Sequence, residues 1–63
     1  MTRNLAYRLM KARLHAERPG QAMFNVMWME LPAEVEELRG TDLDPFYDDS
    51  RIDDFLNALG IHD

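Results

Sequence analysis

Between Ala22 and Leu31 the chain sets Ala22, Met23, Phe24, Val26, Met27, Trp28 and Met29 in nearly every direction around a helix axis, interrupted only by Asn25 and Glu30. A helix that is hydrophobic all round must be covered all round, and this requirement governs what the rest of the chain has to do. Val26 is the only β-branched residue here, and methionine is plentiful, so helix is favoured over a short strand at Phe24 to Trp28. Pro32 disfavours helical geometry at Leu31 and suits the first position of a new helix, which closes the segment at Glu30.

The cover available is scant. A chain of 63 residues forms one domain, 1–63, and a domain of this size hides only about 60% of the surface its unfolded form exposes. Small domains often add a disulfide or a structural metal. With no cysteine, disulfides, thiolate metal sites and cysteine nucleophiles are excluded, which fits a reducing, cytoplasmic setting. His15 and His62 stand far apart without a partner at ligand spacing, so neither a metal nor any other cofactor is expected. No signal-like apolar run follows Arg3 and Arg8, and no stretch approaches the roughly 20 apolar residues of a membrane span. Association with another chain is then the remaining way to hide more apolar surface.

The flanking segments read as helices, giving an all-α bundle of three to four short helices. The first spans about Asn4 to Glu17 and stops before Pro19 and Gly20, with Thr2 or Asn4 as its cap. At about 100° per residue, Leu5, Leu9, Ala12 and Ala16 share one side, while Tyr7, Met10 and Leu14 share the opposite one. Two apolar faces call for two neighbours. Along one edge runs a polar stripe of Asn4, Arg8, Lys11, His15 and Arg18. A third helix runs from Pro32 to Arg39, closed by Gly40 in the left-handed conformation, with glutamates toward its start and Arg39 at its end. A turn-rich acidic connection follows. In it Asp44-Pro45 reads as a cap and first helical position, ahead of a single turn holding Phe46 and Tyr47. The last helix takes Ser50 as cap, with Asp53 in capping-box position, and presents Ile52, Phe55, Leu56 and Leu59 as an apolar stripe. Gly60 stops it, and Ile61 folds back on Leu56 or Phe55.

Charge is unevenly placed. Residues 1–20 carry five bases against Glu17, whereas residues 21–63 carry Arg39 and Arg51 against eleven acids. Such a division steers partners or brings opposite ends of two chains together. The aspartates at 42, 44, 48 and 49 do not make a calcium loop: with Asp42 first, Pro45, Phe46 and Tyr47 fill positions where ligands and a glycine belong. They read as caps and solvated charge rather than as a mimic of a nucleic-acid backbone. Ser50, the only serine, has no histidine near it, and the three glycines are isolated, so neither serine chemistry nor a phosphate cradle is indicated. Glu30 is placed for partial burial and for pairing with an arginine. No enzymatic activity is expected.

Three stretches, Asn4 to Met10, Gly20 to Asn25, and Leu38 to Ile52 with its Thr41-Asp42-Leu43-Asp44-Pro45-Phe46-Tyr47 centre, resemble the small accessory proteins of actinobacterial bacteriophages. The resemblance implies a protein made in the host cytoplasm that binds and modulates a host protein. Core is the default reading of the Met-rich segment, but its apolar surface exceeds what three short helices cover. The surplus favours a protein-protein interaction module, with Met23, Met27 and Trp28 as the apolar contact, since methionine reshapes and tryptophan anchors interfaces, and with Arg8, Lys11 and His15 as the charged rim. The alternative is a homo-oligomeric structural component in which the basic stripe of one subunit meets the acidic half of the next. A third reading is nucleic-acid binding through the basic first helix. It is opposed by the negative total charge and by an apolar segment where a recognition helix needs Arg, Asn and Gln.

Overall fold

The apolar segment is helical and central. In the computed structural model, which describes residues 3–61, α1 (Arg3–His15), α2 (Pro19–Glu30), α3 (Pro32–Leu38), a 3-10 turn (Asp49–Arg51) and α4 (Ile52–Ala58) succeed one another, with no strand among the described residues. The all-α class read from the pattern is the observed one. α1, α3 and the 3-10 turn all pack against α2, which thereby acquires neighbours on most sides. Leu5, Leu9 and Ala12 of α1, Val35 of α3, and Ile52, Phe55 and Leu56 of α4 close over Met23, Phe24 and Met27. Phe24 is the hub: Trp28 stacks on it at 5.8 Å and Phe55 at 6.0 Å, and Phe46 meets it edge-on at 5.4 Å. Aromatic pairs in these geometries add about 0.5–1.5 kcal/mol each beyond burial. The Cα radius of gyration, 10.3 Å, matches the roughly 10.6 Å expected of one compact body of this length.

Pro19 and Gly20 depart from the expected pattern. The first helix was expected to reach Glu17 and the pair to separate two helices; α1 ends at His15, and Pro19 instead opens α2. Proline is suited to that place because the missing N–H has no intrahelical acceptor there anyway. Gly20 is buried, and a methyl at its Cα would overlap the Pro45 carbonyl oxygen and the Asp49 carboxylate. The glycine is needed for close approach, not for a turn. Arg18, just before the helix, provides no side-chain cap. The Gly20 amide donates to Asp49 Oδ1 at 2.8 Å, so a carboxylate from the far end of the acidic connection satisfies a first-turn donor of α2.

The acidic connection is itself built from caps. Asp44 accepts from the Phe46 amide at 2.9 Å and from the Gly40 amide at 2.7 Å, so its carboxylate holds the turn although no helix starts at Pro45 for it to cap. Phe46 and Tyr47 lie in a turn, closed by the Asp48 amide donating to Pro45 O at 3.1 Å, and not in a helical turn. At the next boundary the cap is Asp48 and not Ser50. The Asp48 carboxylate accepts from the Ser50 amide at 3.0 Å and from the Ser50 hydroxyl at 2.6 Å, placing Ser50 inside the 3-10 turn. A carboxylate is the stronger acceptor at a helix start, and Asp48 lies two residues before the amide it serves. Asp53, expected to complete a capping box, pairs with Arg13. The end of α4 is as expected: Gly60 has φ 80°, and the Ile61 amide donates to Leu56 O at 2.9 Å while the Gly60 amide donates to Asn57 O at 3.0 Å. Gly40 is likewise left-handed, at φ 78°, after a third helix that stops at Leu38. The expected cap at Thr2 and the tail at His62 and Asp63 lie outside the described residues.

Candidate protein-interaction surface

Met23 and Met27, expected to face a partner, do not: they are 1% and 0% exposed and form the middle of the subunit's own core. A few short helices can hide that much apolar surface because each covers a different side of α2. Trp28 is on the margin, 36% exposed, with one ring face against Phe24. Met29 beyond it is 74% exposed.

The apolar surplus appears instead on α1. Its inner face, Leu5, Leu9 and Ala12, is buried on α2, with Ala16 half-buried. Its outer face, which calls for a second neighbour, is left open by the described residues: Tyr7, Met10 and Leu14 are 54%, 51% and 66% exposed. At spacings of i, i+3 and i+7 they form a continuous strip over two turns of helix. This surface was visible in the sequence as a second apolar face. What periodicity did not tell is that the later helices leave it bare.

The rim of the strip is basic. Across its 13 residues α1 contains Arg3, Arg8, Lys11, Arg13 and His15 and no acid. Arg8 pairs with Glu30 at 2.7 Å, tying α1 to the end of α2, and its other nitrogen lies 3.7 Å from the Met29 sulfur. Glu30 thus has the arginine partner expected of it, although it is exposed rather than embedded. Arg13 pairs with Asp53 at 2.9 Å, tying α1 to α4. These bonds are the internal pairing of the basic helix with acidic elements, and Arg8, assigned to the rim, is engaged by one of them. Such solvent-exposed pairs contribute about 0.2–1 kcal/mol each. Lys11 lies 5.8 Å over the Tyr7 ring and is exposed, as is His15 at the end of the helix. Arg18 has left the stripe: it donates to Phe46 O at 3.1 Å, and its guanidinium lies 5.7 Å from the rings of both Phe46 and Tyr47.

Beside the strip, α1 and α4 enclose a groove of about 480 Å³ with Ala6, Leu9 and Met10 on one wall, Leu56 and Ile61 on the other, and Met23 below. Arg13 and Asp53 stand at its edge. Met10 belongs to both groove and strip, so the two are continuous. A separate polar hollow is lined by Gly40, Thr41, Asp44, Tyr47, Asp48 and Arg51. There the Ser50 hydroxyl, then the Ser50 amide, hold the Asp48 carboxyl below its ordinary value against an opposing effect of burial, with Arg51 contributing least. Among the described residues no group of three His, Cys, Asp or Glu side chains is placed to hold a metal, and no helix is long and apolar enough to cross a membrane. Among known protein families, characterised proteins and solved structures, comparison finds no match to the chain.

Proposed function

We propose that the chain is a non-enzymatic protein-interaction module that docks a different protein on the outer face of α1. The observation carrying this reading is the strip of Tyr7, Met10 and Leu14, more than half exposed along the longest helix. Scattered apolar residues on a surface need no explanation, but aligned ones rimmed by charge are how a helix meets another chain. The chemistry within reach points the same way: the hollow around Asp48 holds that carboxylate ionised and hydrogen-bonded, the reverse of a poised acid or base. The resemblance to actinophage accessory proteins adds a bacterial cytoplasm as the setting and a host protein as the target.

Self-association through two α1 strips is the less favoured partner on electrostatic grounds. Antiparallel pairing of two α1 strips sets Lys11 within about one helical turn of its symmetry mate and brings a helix with no acid against its copy. Nucleic acid is less favoured again, because Arg8, Arg13 and Arg18 are engaged within the fold and the net charge is −5.

A photo-crosslinking residue at Leu14, with a second at Ala33 on α3 as reference, tests the reading in bacterial cells. The expected outcome is a discrete adduct with a heavier protein from position 14 alone. An adduct of twice the chain mass, or identical adducts from both positions, would overturn it.

A further inference from the structure

Resting on that reading, we infer that the occupant of the α1 face is an acidic amphipathic helix that lays its apolar side along Tyr7, Met10 and Leu14 and drops one bulky anchor into the α1–α4 groove. Charge complementarity decides the occupant. Lys11 stands at the edge of the strip, midway along it, exposed and over the Tyr7 ring, with no carboxylate bonded to it among the described residues, while Arg13 stands at the groove's edge in a solvent-exposed pair with Asp53. A helix with glutamates on its flanks meets both bases. One with lysines meets like charge along its length.

The chain's own acidic surface does not fit the description. Glu34, Glu36 and Glu37 of α3 are exposed, but no large apolar side chain is exposed on α3 or α4 to cover the strip. The groove supplies the anchor site. Its walls are the aliphatic parts of Leu9, Met10, Leu56 and Ile61, it is open to solvent along one side, and about 480 Å³ exceeds what a single side chain needs. Met10 at the lip is an unbranched side chain able to adjust to different anchors.

The test uses two synthetic helices with the same leucines at i, i+3 and i+7, one flanked by glutamates and the other by lysines, titrated into the intact chain and read by fluorescence anisotropy. The glutamate helix is expected to bind at least about tenfold more tightly than its twin and to weaken as salt rises. Lys11→Glu, which breaks no ion pair among the described residues, is expected to erase or invert that preference. Ala6→Trp, filling the groove from an exposed position, is expected to remove binding without lowering the unfolding midpoint. Equal binding of both helices that is lost on Leu14→Asp would overturn the acidic partner and leave the docking face standing. Binding that survives both Leu14→Asp and Ala6→Trp, or no binding by either helix, would overturn the face as well.

Discussion

α1 and α2 carry the same kinds of apolar residue to opposite ends. Met27 on α2 and Met10 and Leu14 on α1 are all large, flexible or branched aliphatic groups on regular helix, yet the first is 0% exposed and the others are 51% and 66% exposed. The difference comes from neighbours. α2 is touched by α1, α3 and the 3-10 turn, whereas the principal packing partner of α1 is α2. Apolar content indicates that surface must be hidden; the path of the remaining chain determines which helix receives the cover.

The largest effect expected of that contrast is on stability. Met27→Ala removes a core side chain with no exposed surface and is expected to cost about 2–5 kcal/mol, enough to leave a domain this small largely unfolded at room temperature. Leu14→Ala on the outer face is expected to change stability by no more than about 0.5 kcal/mol. Denaturant midpoints of the two variants check this, and equal losses would mean that the α1 face is covered in the free chain.

Next in size is Gly20. In an ordinary helix interior, Gly→Ala stabilises by about 0.5–1 kcal/mol. Here Gly20→Ala is expected to destabilise by about 1–3 kcal/mol, because the methyl meets the backbone of Pro45 and the Asp49 carboxylate that receives the Gly20 amide. A stabilised variant would show that the acidic connection does not lie across the start of α2.

These two positions also show where the sequence could be read and where it could not. The burial of α2 was legible because a segment apolar in every direction needs cover whatever the orientation of its neighbours. The Gly60-Ile61 closure of α4 was legible because its hydrogen bonds involve residues only a few positions apart. Gly20 was misread because the reason for a glycine there, Pro45 and Asp49, arrives from 25 and 29 positions away. The exposed apolar surface was misplaced for the same reason. Both the apolar segment and the two-faced first helix were evident, but which of them kept bare surface depended on where α4 came to rest. Ser50 and Asp48 were closer competitors, and the carboxylate prevailed because one oxygen serves both the amide and the hydroxyl of Ser50.

A smaller effect separates the acidic connection from the basic helix. Asp48 has its carboxyl held below the ordinary 3.8 by Ser50 and Arg51. A depressed folded-state value contributes stability that is present above the unfolded value and is lost as pH falls through the folded one. The Ser50 amide resonance is therefore expected to titrate with a midpoint below 3.8, and Asp48→Asn to remove that transition. A midpoint at or above the ordinary value would contradict the cap.

The most direct measurement is the oxidation rate of each methionine under dilute peroxide, read peptide by peptide by mass spectrometry. Met10 and Met29 are expected to oxidise rapidly in the free chain, while Met23 and Met27 remain protected until it unfolds. On addition of the glutamate-flanked helix, Met10 becomes protected. If Met23 and Met27 oxidise alongside Met10, or if Met10 is already shielded in the chain alone, the assignment of α2 to the core and of α1 to the docking surface is contradicted.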